Sequence, residues 1–310
     1  MTDSFSAFQH AISTFVDRLG DIRLAPLAIA LALHLLSLLV RSGVWCGILR
    51  AAFPERPVPV RSAVWSYLAG VGANAIAPLR GGDVVRVYTI HRELGDVSIA
   101  TIVSTLVAEA MFGGLVIVGI AAAAIGLGWL PPVVGLPDAN AFEVSFLVRH
   151  ALAAGVVVGV ILVLGGLTAE WAAHHVIGFW RHITAGFRIL RSPGHFARVV
   201  AAPQLVDWAL RIGVAYFLLQ AFGIHPALRY AMLVVVIDSI STALPFTPGG
   251  AGAQQGLLVF ALSGVAGSGQ VLAFSVGAQA VMLGFNLLLG LIACFALFGH
   301  MRIRSLAPSV

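Results

Sequence analysis

Long runs of apolar residues follow one another along the 310-residue chain, separated by short polar or proline-rich stretches. A helix needs about 20 such residues to cross the roughly 30 Å hydrocarbon core of a bilayer. A transmembrane barrel would instead show alternating segments of about ten residues. The pattern therefore predicts an all-α polytopic membrane protein in which residues 1–310 form a single integral membrane domain. The expected full spans cover about 25–49, 97–127, 146–167, 201–222 and 270–298, and shorter apolar segments cover 62–78, 229–246 and 254–265.

Two of the shorter segments are interrupted by proline and glycine in a similar way. The interruptions lie within residues 74–83 and 241–250, and they overlay with Pro78 on Pro245. Proline removes a backbone donor and glycine relaxes the dihedral limits, so both segments should unwind. We therefore expect about seven or eight membrane-embedded helices, two of them broken or re-entrant. Interrupted segments at corresponding places in two halves indicate a binding site in transporter folds, and they allow an internal inverted repeat.

Composition supports a membrane location and excludes several chemistries. Hydrophobic residues make up 59% of the chain and charged residues 10%, whereas a soluble domain carries about a quarter charged residues. Every one of the 18 basic residues is arginine, which excludes a lysine Schiff base or a P-loop. The arginines lie mainly between apolar runs, as orientation signals would, so we expect no nucleic-acid partner. Cys46 and Cys294 have no metal-binding spacing, and we expect neither a metal nor another cofactor.

The distribution of arginines predicts the orientation in the membrane. Residues 170–200 combine arginines with tryptophan and phenylalanine, as expected of an amphipathic basic segment at the cytoplasmic interface, whereas 128–143 contain no arginine. Residues 1–24 lack a signal-peptide pattern and are expected to form a cytoplasmic N-terminal segment. The C-terminus should also be cytoplasmic, in a bacterial cytoplasmic (inner) membrane. Arg50, Arg56 and Arg61 conflict with this orientation if 62–78 crosses fully, and a re-entrant hairpin there would change the prediction.

The interruptions and the charges inside apolar runs supply the candidate binding residues. A helix that begins after a break presents free N–H groups and the positive end of its dipole, which suits an anionic headgroup. Glu109 has about a dozen apolar residues on either side, and a carboxylate at that depth is a functional candidate by default. Ordinary proline kinks and an interhelical hydrogen bond from Glu109 are the structural alternatives. The predicted substrate-binding residues are Asn74, Arg80, Asp83, Arg86, Glu109, Asp238, Thr247, Gly249, Gly250 and Gln255.

Other polar residues in the apolar runs have simpler interpretations. Asp207 and Arg211 stand four residues apart and are expected to pair on one helix face. Arg41, near the end of the first span, is expected to reach the interface along its aliphatic stem. Three histidines at 174, 175 and 182 have no neighbouring cysteine or carboxylate at metal-ligand spacing, so solvated interfacial histidines are expected.

Two ordered motifs resemble a known family. The first runs Pro78-Leu-Arg80-Gly-Gly82-Asp83-Val-Val-Arg86 and matches the pattern P-x-R-x-G-E/D-x-x-R of the lysylphosphatidylglycerol synthase transmembrane-region family. The second, at 245–252, resembles that family's P-x-T-P-G-G-x-G-x-x-E signature, and Glu109 lies where its mid-span glutamate falls. The resemblance covers about residues 25–300. It implies a flippase-like, lipid-handling domain, expected to lack aminoacyl-transferase activity because no soluble domain follows.

The chain departs from the family pattern where charges would be expected. Gln255 replaces the glutamate that ends the second signature, and Ala110 and Gly113 replace an arginine and an aspartate after Glu109. Glu109 therefore has no evident partner nearby in the sequence.

Three functions remain open at this point. The first is a flippase or transporter for an anionic phospholipid or polyprenyl-phosphate lipid. The second is a membrane-embedded lipid-modifying enzyme that would use the His91 and Asp96 spacing as base and orienting acid. The third is a non-catalytic partner that binds a lipid or glycan biosynthetic enzyme through residues 170–200. Membrane lipids are the expected ligands, and a homo-oligomer is left open.

Overall fold

The computed structural model describes residues 22–76, 81–95, 97–126, 187–243, 253–262 and 264–306. Regular structure in these ranges is entirely helical, which confirms the all-α prediction. The predicted loop at 128–143, the span at 146–167 and most of the 170–200 segment lie outside the described residues. The helices are α1 Leu24–Ala52, α2 Val60–Ile76, α3 Gly81–Leu94, α4 Ile99–Gly126, α5 Pro193–Phe196, α6 Ala202–Ala221, α7 Leu228–Ala243, α8 Ala253–Ala261 and α9 Ser268–Leu306.

Helix length and composition separate the described helices into two groups. Leu24–Ala52 and Ser268–Leu297 are both long and apolar enough to cross a membrane. A shorter apolar stretch covers Ile99–Gly114 within α4. The remaining described helices are shorter or carry charges inside their apolar runs.

The helices α2 and α3 form an antiparallel pair. Near their outer ends, the Ser62 hydroxyl donates to Glu93 Oε1 at 3.2 Å. Near the connection, the Gly82 N–H donates to Asn74 Oδ1 at 2.8 Å. Because these contacts link the start of α2 to the end of α3, both outer ends lie at one end of the bundle. We call this the Ala52 end, since α1 also ends there, and the opposite end the Leu24 end.

A second antiparallel pair, α7 and α8, enters from the Leu24 end. The Gln254 amide at the start of α8 donates to Asp238 Oδ1 in α7 at 3.2 Å. The preceding helix, α6, ends at the Leu24 end, because the Arg23 N–H donates to the Ala221 carbonyl at 3.0 Å. At the other end of α6, Val199 contacts Gly47 of α1. The helices α1 and α6 therefore run antiparallel along most of their length.

The last helix, α9, ties the two halves together. It begins beside the end of α6, where the Gln270 amide donates to the Gly223 carbonyl at 3.1 Å. It then runs antiparallel to α2, and Gly290 packs directly on Gly72 with backbone against backbone. A Cβ at either glycine would collide with the other residue's Cα, so this approach requires both glycines.

Each half has its own apolar core. The core of the first half lies between α1, α2, α3 and α4 and includes Trp45, Tyr67 and Ile90. The second core lies mainly between α6, α7, α8 and α9, where it includes Leu219 and Phe274, and it extends to Ala30 of α1. The residues before α6 cover the outside of α1 and α4, where Phe187 and Phe196 pack on Phe112. The charged side chains described next contact the first core at Trp45 and Tyr67 and the second core at Trp208.

Candidate functional site

Arg86 is at the centre of a buried ion pair. Only 7% of this residue is exposed, and 8% of Glu109. The Arg86 Nη2 atom donates to Glu109 Oε2 at 2.6 Å, a short charge-assisted hydrogen bond between α3 and α4. On the other side, Nη1 lies 3.4 Å from Asp83 Oδ1, one turn earlier on α3. The ion pair between Arg86 and Glu109 should contribute to stability, because removing one of these two charges would leave the other buried without compensation.

Two aromatic rings face the same guanidinium. Its central carbon lies 4.3 Å from the Trp45 ring centroid and 4.2 Å from that of Tyr67. The Tyr67 hydroxyl also donates to Glu109 Oε1 at 3.3 Å. Arg86 Nε has no hydrogen-bond partner within the described part of the chain. The aromatic faces stabilise the cation without using its N–H groups, so this buried donor remains unsatisfied among the described residues.

The small residues at the α2–α3 contact explain why Arg86 is so deeply buried. A Cβ at Gly82 would collide with the Gly70 carbonyl, and a Cβ at Gly70 would collide with the Arg86 side chain. The glycines thus let the two helices approach until Arg86 lies across α2. The Asn74 side chain accepts the Gly82 N–H and so caps the first turn of α3.

A second cluster of charges continues from the first towards α6. Asp207 is 1% exposed, and it accepts a hydrogen bond from the Ser37 hydroxyl. Arg41 Nε lies 4.0 Å from Asp207 Oδ2, and the Arg41 guanidinium lies 5.6 Å from the Tyr67 ring centroid. Tyr67 is therefore shared by Arg41 and Arg86, which places the two arginines in one continuous polar band.

The polar band extends to the second helix pair. Arg211 Nη2 lies 3.9 Å from Asp238 Oδ2, and its guanidinium lies 4.4 Å from the Trp208 ring centroid. Asp238 in turn accepts from Gln254 at the start of α8. Alternating charges thus run from Asp83 on α3 to Asp238 on α7. They connect the flanks of both interrupted segments through α1, α4 and α6.

The structure brings together only part of the predicted site. Asp83, Arg86 and Glu109 meet directly, and Asn74 caps the helix that carries two of them. Asp238 belongs to the other end of the polar band. Gln255 donates to Gln279 Oε1 on α9 at 3.0 Å, one residue beyond the Gln254 contact. Four predicted residues lie outside the described ranges: Arg80, Thr247, Gly249 and Gly250.

Two expectations about the buried charges were wrong. Glu109, which has no evident partner nearby in the sequence, pairs with Arg86, 23 positions earlier. Asp207 interacts with Ser37 and Arg41 on α1, and Arg211 pairs with Asp238 on α7, rather than Asp207 with Arg211. Arg41 lies towards Tyr67 and Asp207 instead of extending to the interface. The physical reason is common to both: a buried charge takes the opposite charge of a neighbouring helix when packing brings it closer.

Sequence reasoning missed the aromatic residues and Ser37. A signal was present on α1, because Ser37, Arg41 and Trp45 recur every four residues and so share one face of a helix. No comparable pattern singles out Tyr67. The predicted pair of His91 and Asp96 includes a residue, Asp96, that lies outside the described residues. Within the described ranges, three or more His, Cys, Asp or Glu side chains never converge as metal ligands would.

Charged side chains paired between apolar helices define the class of protein. Ionisable residues inside membrane segments are rare, face the interior of the helix bundle and pair with one another, as the polar band does here. The chain is an integral membrane protein of the α-helical type. Its sequence matches the family model described as "Lysylphosphatidylglycerol synthase TM region" over residues 4–290, and it belongs to that family. A comparison with curated proteins gives no match.

Proposed function

We propose that this protein moves an anionic phospholipid or a polyprenyl-phosphate lipid across the membrane, with Arg86 as the ligand of the phosphate. The observation that carries the proposal is the Arg86 guanidinium, buried between two aromatic rings and paired with Glu109. The guanidinium geometry suits phosphate, which can accept two parallel hydrogen bonds from it. The unpartnered Nε is a further donor that a bound phosphate would use.

The depth of the ion pair supports a role in transport. Arg86 lies eight residues before the end of α3, and Glu109 lies ten residues after the start of α4. At about 1.5 Å per residue, both are roughly 12–15 Å from the Ala52 end, near the middle of a hydrocarbon core about 30 Å thick. A phosphate that replaced Glu109 on Arg86 would be halfway across the membrane. The carboxylate it displaced would be left beside Tyr67 and Arg41.

The order of the helices supports an inverted repeat with two re-entrant pairs. The first half consists of α1, the α2–α3 pair and α4, and the second half consists of α6, the α7–α8 pair and α9. The helices α1 and α6 run in opposite directions, and the two pairs enter from opposite ends. Transporters built on such repeats bind substrate where their discontinuous helices meet. The polar band lies between the flanks of the two interrupted segments.

The α2–α3 pairing also bears on the orientation. Because α2 and α3 return to the same end, the arginines around them lie at the Ala52 end, as do the residues before α6 and the end of α9. The described arginines at this end are Arg50, Arg56, Arg61, Arg92, Arg188 and Arg198. Basic residues favour the cytoplasmic side, so we infer that the Ala52 end is cytoplasmic. The C-terminus then remains inside as expected, whereas the start of α1 lies outside, the reverse of the orientation expected from the sequence.

Translocation in proteoliposomes tests the proposed function. We expect the purified protein to move fluorescent phosphatidylglycerol across the bilayer several-fold faster than fluorescent phosphatidylcholine. The reason is that a choline group would bring a second cation towards Arg86 and Arg41, and like charges repel strongly in a medium of low dielectric constant. Rates equal to those of protein-free liposomes would contradict transport of an anionic phospholipid. Equal rates for the two lipids, above that background, would contradict selection of an anionic headgroup.

A further inference from the structure

A separate cavity opens at the Ala52 end, outside the polar band. Its volume is about 200 Å³, and it lies between the start of α2, the end of α3 and the last part of α9. It is lined by Pro59, Arg61, Ser62, Trp65, Glu93, Ala296 and Leu297. Glu93 is seven residues beyond Arg86 on α3, so the cavity is about 10 Å from the buried ion pair along the helix.

The walls of this cavity carry both signs of charge. Arg61 contributes a guanidinium at one side, and within the described residues it has no ion-pair or hydrogen-bond partner. Glu93 contributes a carboxylate that accepts from the Ser62 hydroxyl at 3.2 Å. Glu93 has a further interaction within the fold, and because a carboxylate has about four acceptor sites, a ligand ammonium would join these donors rather than bind a free carboxylate. Trp65 adds an aromatic wall, which attracts a cation.

The remaining walls and the volume indicate what kind of molecule would fit. Ala296 and Leu297 are apolar, and so is most of Trp65, as contact with the upper part of acyl chains would require. A cavity of about 200 Å³ is smaller than the roughly 300–1,000 Å³ typical of sites that enclose a drug-sized ligand. It accommodates a compact headgroup while the chains remain outside in the bilayer. Its position at a helix end, with a tryptophan, is the depth at which headgroups lie.

We propose that this cavity binds a phospholipid whose headgroup contains both a phosphate and a primary ammonium, as phosphatidylethanolamine does. Arg61 and the free N–H groups of the first turn of α2 would bind the phosphate. Glu93 and Trp65 would bind the ammonium, which donates hydrogen bonds that a quaternary choline group lacks. Phosphatidylglycerol offers the phosphate but no cation. The site is distinct from the Arg86 site and does not depend on the transport function.

Native mass spectrometry of the purified protein with added lipid tests this proposal. We expect wild-type protein to bind phosphatidylethanolamine roughly fivefold to tenfold more tightly than phosphatidylglycerol or phosphatidylcholine, about the effect of one partly exposed charge-assisted hydrogen bond. Glu93→Gln should reduce this preference to about one, while Arg61→Gln should weaken binding of all three lipids. Glu55→Gln and Arg92→Gln are matched controls, because both residues are exposed and lie outside the cavity.

The outcomes separate this site from non-specific lipid binding. A preference that persists in Glu93→Gln, or one that falls equally in Glu55→Gln, would overturn the assignment of the ammonium to Glu93. Water-soluble glycerophosphoethanolamine should bind far more weakly than the intact lipid. Equal affinity for the two would overturn the role of the apolar walls. Translocation of phosphatidylglycerol by Glu93→Gln should remain at the wild-type rate, since the residue lies outside the Arg86 site.

Discussion

Arg86→Leu should lower the free energy of unfolding by roughly 3–5 kcal/mol, the usual effect of removing one member of a buried ion pair. The substitution leaves Glu109, a residue that is only 8% exposed, without the cation that its carboxylate contacts on α3. Tyr67 can still donate to one carboxylate oxygen, but a neutral hydroxyl does not compensate the charge. The loss is measured by chemical or thermal unfolding of the protein in detergent.

The double variant Arg86→Leu/Glu109→Leu should recover most of that stability. Without either charge, the space between Trp45 and Tyr67 accepts apolar side chains, and replacing a whole buried pair is often neutral or stabilising. Arg92→Leu is the matched control, because Arg92 is exposed on the same helix and its only hydrogen bond among the described residues is to the Tyr88 hydroxyl, at 3.4 Å. If the losses of the two single variants simply add in the double variant, Arg86 and Glu109 are not coupled and the proposed ion pair is wrong.

Gly290→Leu should have the second large effect, destabilising the protein by at least about 3 kcal/mol. The value is at the upper end for overpacking, because the new side chain meets the backbone of α2 rather than a movable side chain. Even a Cβ at Gly290 collides with the Cα of Gly72, so Gly290→Ala should already lose part of the stability. Separation of α9 from α2 would also open the apolar core around Trp45 and Tyr67.

Gly284→Leu provides the control on the same helix. A Cβ at Gly284 meets no atom within 4 Å, so the added side chain faces outwards and should change stability little. Unfolding of the two leucine variants is compared under identical conditions. If Gly284→Leu is as destabilising as Gly290→Leu, the effect comes from helix propensity or membrane insertion, and the close α2–α9 contact is not its cause.

Helix positions could largely be predicted from the sequence. The described helices agree with the predicted segments within a few residues, except that α9 extends to Leu306, beyond the apolar run that ends near 298. Apolar runs and proline interruptions are local signals, so they predict helix positions independently of how the helices pack against one another. The first motif is also a local signal. It predicted Asp83 and Arg86 as site residues, and both lie on one short helix.

The pairing of charges could not be predicted in the same way. Arg86 and Glu109 come from different helices, and nothing in either segment specifies their contact distance. Spacing favoured an ion pair between Asp207 and Arg211, but α1 and α7 supply closer partners. In the sequence, Tyr67 is one aromatic residue in an apolar run, whereas in the structure its ring contacts both Arg41 and Arg86. Such contacts depend on how α1, α2 and α4 are arranged around α3, which only the folded chain determines.

The rate of phosphatidylglycerol translocation by Arg86→Gln is the most direct measurement of the proposed role of Arg86. Glutamine preserves hydrogen bonding but removes the charge that would bind the lipid phosphate. Loss of one charge-assisted contact of about 1.5–3 kcal/mol corresponds to a rate lower by about tenfold to more than a hundredfold. We expect that decrease in proteoliposomes containing equal amounts of folded protein, with Arg92→Gln at the wild-type rate. A wild-type rate in folded Arg86→Gln would contradict the account.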